Sequence, residues 1–350
     1  MALTYDGTAG ITFNDGSQIG SASSLGMRNR IINGGMTIDQ RNAGASVINV
    51  AATATYAVDR WKYYGTSASK FTIQQNAGSI TPPVGYINYL GFTSSAATVV
   101  GTSDIYTFGQ PIEGLNITDL AWGTANAKTV TLSFWVYSSL TGTFSGSLGN
   151  NAANRCYPFS YTISSANTWT QISLTIAGDT TGTWLTTNAI GIQIWFNLGS
   201  GSTQLGTAGA WGSTFYYGAT SSQSIIATNG ATFYITGVQL EKASAATPFE
   251  YRQYGTELAL CERYYEVYYS DSLGQPVISL STGYSGAYPW FWQFKQDKRA
   301  AATITKVNGT WTGTTPTFYG GISSGQAYGS SIFFLGTSNG LVALSASAEL

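Results

Sequence analysis

The sequence contains no histidine. That absence removes Ser-His-Asp triads, Cys-His pairs, His-ligated zinc and imidazole proton transfer together. Charge is scarce as well: Asp, Glu, Lys and Arg make up 9 % of the 350 residues, against about a quarter in ordinary soluble domains. With a formal net charge of −1 and no basic run, the chain lacks the clustered Lys and Arg of a nucleic-acid groove. Arg28 and Arg30 come nearest to a cluster and read as a solvated or subunit-facing pair. No apolar run reaches the roughly 18 residues of a membrane span, and the opening MALTYDGTAG has no apolar signal core. Cysteine is limited to Cys156 and Cys261, which read as buried thiols; a disulfide between them stays open, though nothing in the spacing argues for it.

What is present is glycine, small polar residues and aromatics. Ser, Thr, Asn and Gln keep the surface wet in place of charge, while 23 Tyr and 10 Trp supply large amphipathic area. Such a surface suits contact with neutral polyols or with other protein subunits.

Period-two alternation is the main structural signal. In 128–138 the aliphatic phase is Val130, Leu132, Phe134 and Val136, and in 188–198 it is Ile190, Ile192, Ile194, Phe196 and Leu198. Trp169 to Ile176 repeats the pattern with Ile172, Leu174 and Ile176 inward. Each strand has one oily and one mixed face, which predicts an all-β fold of two antiparallel sheets packed as a sandwich. Residues 1–26 are Gly/Ser/Thr-rich with an Asn14-Asp15-Gly16 turn and cannot bury a core alone. In the stretch Phe233 to Tyr269, a last strand puts Tyr234, Thr236, Val238 and Leu240 on one face and Phe233, Ile235 and Gly237 on the other. Pro248 stops it, leaving 243–254 as an ordered connector. A helix capped by Thr256 should follow, with Leu258, Cys261, Tyr265 and Tyr268 as its apolar stripe and with Leu258 and Cys261 buried. Strands are then expected at 277–280, 288–295, 302–306, 331–335 and 341–345, with Trp290, Trp292 and Phe294 on one face. The resulting division is 1–26, a sandwich domain over 27–255, and a helix with a smaller all-β domain over 256–350.

The runs GMRNRIINGGMTIDQRNAG, YAVDRW (Tyr56 to Trp61) and GVQLEKASAATPFEYRQYGTELALCERYY resemble bacteriophage tail-fibre and receptor-binding proteins, which carry a jelly roll similar to carbohydrate-binding modules. The similarity spans roughly Met27 to Ala300. It implies a jelly-roll sandwich, a homotrimer, attachment to other virion tail proteins through residues 1–26, assembly in a host cytoplasm, and recognition of a host-surface glycan. Two alternatives stay open, a purely structural virion protein (head fibre or tail adaptor) and a carboxylate-based glycan depolymerase.

Without histidine, hydrolysis would rest on a carboxylate pair ~5 to ~9 Å apart. Asp104, Glu113 and Asp119 share one stretch, and Glu113 reads as a buried structural acid. No cofactor is expected; similar modules often hold a structural calcium ion, for which Asp59, Asp104 and Asp179 are conceivable ligands without metal-binding spacing. Gly199-Ser200-Gly201 reads as a turn, since no helix follows to make an anion site. The constellation that suits a sugar is aromatic. Trp135, Tyr137 and Trp195 lie opposite the aliphatic phase with Gln193 and Asn197, and Trp184, Trp211, Tyr216 and Tyr217 sit in long loops. Flat rings flanked by amides match the C–H faces and hydroxyl rims of sugars, although in a trimer the same face can be subunit interface.

Overall fold

The computed structural model of the protein describes residues 27–268, 288–309, 317–320, 331–336 and 342–350, together with three short strands before residue 27. Those strands, β1 (Thr4–Asp6), β2 (Gly10–Thr12) and β3 (Gln18–Ile19), pair antiparallel in chain order. The Asn14-Asp15-Gly16 turn lies outside the described residues. Next come β4 (Val47–Ile48), β5 (Thr55–Val58), β6 (Trp61–Gly65), β7 (Phe71–Gln75), β8 (Leu90–Ser94), β9 (Tyr106–Glu113), β10 (Val130–Ser138) and β11 (Gly142–Gly149). The chain continues with β12 (Cys156–Ile163), β13 (Thr170–Ile176), β14 (Ile190–Asn197), the parallel pair β15 (Leu205–Gly206) and β16 (Gly218–Ala219), and β17 (Thr232–Glu241).

Two six-stranded antiparallel sheets result: a front sheet in the order β13-β10-β17-β8-β7-β4 and a back sheet in the order β12-β11-β14-β9-β6-β5. They face each other across one core, so the fold is the antiparallel β-sandwich that the alternation predicts. Val130, Leu132, Phe134 and Val136 of β10 meet Ile192, Ile194 and Phe196 of β14 there, all buried. Phe108 is central, stacked on Phe196 at 5.2 Å between ring centroids and 4.3 Å from Phe92 across the sheets. Full burial of each such side chain is worth about 1.5–3 kcal/mol.

The last sandwich strand departs from its expected phase. Phe233 and Ile235 are buried in the core, but so are Val238 and Leu240, while Tyr234 and Thr236 face outward. The register explains this, because Ser133 pairs with Gln239 but Trp135 pairs with Thr236, leaving one extra residue on β17. Gly237, at φ +63°, takes up the bulge. The inward phase therefore switches from odd to even numbers within one strand.

The helix, α1 (Tyr254–Glu262), begins two residues before the expected Thr256 cap and has no side-chain cap; Gln253 is its N-cap. It also stops before Tyr265, which opens β18 (Tyr265–Tyr268). The stripe is thus shorter than expected: Cys261 is buried against Ile32, Ile38 and Tyr264, with Leu258 half-buried beside them. Beyond it lie β19 (Tyr288–Gln293), β20 (Thr303–Gly309), β21 (Thr317–Gly320), β22 (Ser331–Gly336) and β23 (Val342–Ser347), in sheets ordered β18-β23-β20 and β19-β22-β21. The strand expected at 277–280 and the side chains of Trp290, Trp292 and Tyr268 lie outside the described residues. Among the described residues no helix is long and apolar enough to cross a membrane.

Polar contacts join the sandwich, the segment 28–40, the connector 242–253 and the chain beyond α1. Asn29 donates to Val238 O and accepts from Leu240 N, stitching its segment to β17. Glu250 accepts from the backbone of Arg28 and Asn29 at 2.9 and 2.8 Å, and Arg252 donates to the carbonyls of Asn29 and Ile31. Arg28 and Arg30 stay at the surface but turn to separate partners: Arg28 donates to Pro248 O, and Arg30 binds Asn116 O and Asp119. Arg60, fully buried, pairs with Glu349, donates to Pro111 O and lies 3.5 Å over the Tyr264 ring. Glu113, 1 % exposed, accepts two bonds from Arg263 at 2.6 and 2.9 Å and one from the Tyr264 hydroxyl at 2.7 Å.

Arg263→Ala strands the Glu113 carboxylate in the interior and should cost about 3 kcal/mol in urea unfolding, the low end for breaking a buried pair. A loss under 1 kcal/mol would show that the pair is solvated in practice. Asp59 gives a pH signature. Burial pushes its carboxyl up to about 7 against the opposing pull of Arg41 and of the Gln40 hydrogen bonds. The native state thus holds a proton that the unfolded chain releases, so this contribution is present below about pH 4 and is lost as pH rises through 7. Asp59→Asn should flatten that part of the stability profile.

Candidate functional site

The nine residues singled out for sugar contact do not share one surface. Trp135 and Tyr137 belong to the front sheet, whereas Gln193, Trp195 and Asn197 belong to β14 of the back sheet, so their outward faces lie on opposite sides of the sandwich. The back face is also covered. Residues 199–224 fold over it, carrying β15 and β16, and leave Trp195 only 5 % exposed. Tyr217 packs edge-on against the Trp195 ring at 5.6 Å, Lys62 Nζ sits 5.4 Å from the same ring, and Asn197 holds Ser222 and the Gly199 and Ser200 amides. Burial and the neighbouring Arg60 lower the Lys62 pKa to about 8. Tyr216 lies over Gly206 and joins Cys156 through its backbone, while Gln193 donates to Asn150 O. This flap turns a mixed sheet face into interior.

Trp184 and Trp122 form a second, buried group, with half-buried Trp211 packed against both. The three indoles meet edge to face with centroids 4.8, 5.3 and 5.4 Å apart. Each ring N–H donates to a backbone carbonyl: Trp122 to Lys128, Trp184 to Thr181 and Trp211 to Ala177. With their donors satisfied and faces packed, they close one end of the sandwich.

The front face is different. A quartet of rings, Tyr89, Tyr137, Trp169 and Tyr234, is closed by centroid distances of 5.3 to 5.6 Å, with Tyr137 and Tyr234 stacked at 11°. Tyr89 and Tyr234 are buried, but Tyr137, Trp169 and Trp135 remain half-exposed. Exposed Gln171 on edge strand β13 pairs directly with Trp135, placing an amide beside the indole. On the other flank lies Tyr86, from the loop between β7 and β8. Its ring occupies the space over Gly237, where an added Cβ would stand 2.5 Å from the hydroxyl. Burial pushes the Tyr86 phenol up, Tyr251 adds to the shift, and the Trp135 indole N–H opposes it. Tyr86 thus links the strip to Phe249 and Tyr251 on the connector, at centroid distances of 5.3 and 5.8 Å. Tyr86, Phe249 and Tyr251 lie outside alternating strands, so periodicity could not select them, whereas Trp169 stands on the outward phase of the run 169–176. The available signal was the pair Phe249 and Tyr251, two apart in extended chain after Pro248.

The carboxylates weighed for catalysis or metal binding have other partners. Asp104 accepts from Gly101 N and Thr66, Asp119 pairs with Arg30 and Lys242, and Glu113 is held as described above. Asp179 takes a two-point bond from Arg155 at 2.7 and 2.8 Å, and Asp59 accepts from Gln40. Arg155 first, then the Thr181 amide, outweigh burial and hold the Asp179 carboxyl low. Among the described residues no three His, Cys, Asp or Glu gather to hold a metal ion.

No protein-family model and no curated relative matches the sequence. Among solved structures, the chain is similar to the enzymatically active domain of bacteriophage CBA120 tailspike protein 4, at 14 % identity and a TM-score of 0.32, over 62 % of this chain but 22 % of that one. It is also similar to TmCBM61 in complex with β-1,4-galactotriose, at 10 % identity and a TM-score of 0.31, over 62 % of this chain and 99 % of that one. A family 11 carbohydrate-binding module from Clostridium thermocellum, in complex with a mixed-linked tetrasaccharide, gives 11 % identity and a TM-score of 0.28, over 57 % and 96 %. At such scores nothing about ligands or residues carries over, and the site stands on this chain's own geometry.

The flap can be probed through the thiol beneath it. Burial pushes Cys156 up to about 11, partly offset by its hydrogen bond with the Tyr216 backbone. At about pH 8 native Cys156 should resist iodoacetamide and react fully in urea. Alkylation at the rate of a free thiol would mean that residues 199–224 do not stay closed in solution.

Proposed function

We propose that this protein is a non-enzymatic bacteriophage tail-fibre component that recognises a host-surface glycan through the front face of its sandwich. The observation that carries the reading is the half-exposed strip of Trp135, Tyr137 and Trp169 with Gln171 beside it, on the sheet face that the flap leaves open. Rings supply the apolar platform for sugar C–H groups and the amide supplies direction. The phage assignment rests on the three motif runs, and with it come the homotrimer, the location in the virion tail and attachment through residues 1–26. The commitment of Glu113, Asp119 and Asp179 to ion pairs supports binding rather than hydrolysis.

The test is the intact chain applied to host envelope polysaccharide, with its oligomeric state followed by light scattering. Trp135→Ala should lower affinity about tenfold, the effect of losing one central aromatic contact, and leave the oligomer whole. Failure of the parent protein to bind, or release of reducing ends that stops in Glu113→Gln, would overturn the proposal. Dispersal of the oligomer by Trp135→Ala would make the strip a subunit interface instead.

A further inference from the structure

Beside the strip, the connector and the loop before β8 enclose a groove of about 290 Å³, near the lower bound of small-ligand sites at roughly 300 Å³. Its walls are Tyr86, Phe249, Tyr251 and Tyr254, with Ile87 at the mouth and Glu250 and Glu257 at its polar side. Three of these aromatic and aliphatic side chains stand well out in solvent: Ile87 is 76 % exposed and Tyr251 and Tyr254 are each 62 % exposed. Tyr251 is held in place by local packing. Phe249 meets Tyr251 edge to face at 5.0 Å, and Tyr251 rests over Gly85, whose φ of +92° and lack of a side chain leave room for the hydroxyl.

The polar side of the groove is rich in acceptors. Glu250 and Glu257 hold the Arg28, Asn29 and Asn33 amides, and Arg252 lies between the two carboxylates. Two carboxylates against one guanidinium leave one negative charge in excess, and each carboxylate keeps lone pairs beyond the bonds it already accepts. The terminal nitrogens of Arg252 donate to Ile31 O and Asn29 O as well, so they are committed within the protein. A hydroxyl-bearing neutral ring fits this combination, stacking on tyrosine and donating to carboxylate. An acidic ring meets repulsion.

Building on the glycan reading, we propose that this groove is a second sugar subsite, continuous with the Trp135 strip through Tyr86, and that the ligand is an uncharged chain of several sugars spanning both. Tyr86 bridges the two in space: it meets Phe249 and Tyr251 on one side, and on the other its ring lies over Gly237, next to Thr236, which pairs with Trp135. One sugar would fill the groove while the next ones lie along the strip, so recognition grows with chain length and has a direction.

The experiment uses the full chain against immobilised neutral gluco-, galacto- and manno-oligosaccharides from monosaccharide to hexasaccharide, beside the matching uronic-acid series. Affinity for a neutral series should rise roughly tenfold or more from the monosaccharide to the tetrasaccharide. Tyr251→Ala should abolish that gain while leaving the weaker, length-independent binding; Tyr251→Phe, which keeps the ring, should retain most of it. Tyr251 is exposed, so an unchanged melting temperature and unchanged oligomer are expected for both variants. Flat length dependence, an unaffected Tyr251→Ala, preference for the acidic series, or dispersal of the oligomer by Tyr251→Ala would each overturn the subsite. Loss of binding in Trp135→Ala with none in Tyr251→Ala would remove the groove and keep the strip. Silence of both series with the parent protein would remove glycan recognition itself, and the subsite with it.

Discussion

Satisfying buried charge is the constraint on which this structure depends. A chain so poor in ionisable residues still places Glu113, Arg60, Glu241, Glu262, Glu266 and Lys298 almost wholly out of solvent. Such groups are tolerated only when paired and hydrogen-bonded, and the pairs here span large sequence distances: Arg60 with Glu349, Glu113 with Arg263, Glu241 with Arg28. The three runs that carry the resemblance are neighbours in space. Asn33 donates to the carbonyls of Ile38 and Asp59, Trp61 donates back to Asn33 O, and Glu257 accepts from Asn33 N. What is most distinctive in the sequence is therefore a lock between parts of the chain, which leaves Tyr251 and Tyr254 of the third run standing in solvent.

The lock also explains where a ligand can be met. It fixes the connector 242–253 along the front sheet, with Thr131 donating to Ala243 O, Glu241 holding Thr247, and Gln239 accepting from Glu250 N. That path brings Phe249 and Tyr251 against Tyr86 and leaves Trp135 and Tyr137 uncovered. On the opposite side the flap uses a long excursion between β14 and β17 to bury Trp195. The two outward faces of the sandwich are therefore unequal, one finished as interior and one left as surface.

Much of the sandwich was legible because a two-sided core imposes strict alternation, and β10, β13 and β14 obey it. The phase of β17 was not, since one glycine at positive φ inserts a residue that alternation cannot reveal. The buried role of Glu113 and the burial of Cys261 could be read from their surroundings in sequence; the partners of Glu113 could not, being 150 residues away for Arg263. The site was legible in half. Alternation says that Trp135 and Trp195 both point away from the core, and it is silent on whether a later segment lies over them. For Trp195 the flap does; for Trp135 nothing among the described residues does so completely. Likewise Thr256 reads as a cap in the sequence, whereas the helix is entered at Gln253 with no side-chain cap, and Arg252 pairs with Glu257 beside that first turn.

Gly237 ties these levels together. The extra residue it hosts sends Val238 and Leu240 inward, and its missing side chain is the seat on which the Tyr86 ring lies. The interior order of one strand and the topography of the outer surface are thus inherited as a single trait. A descendant sequence that straightened this strand would turn two core aliphatics to the outside and unseat the tyrosine in the same step, so surface specificity here can drift by exchanging side chains around the bulge but not by editing the bulge itself.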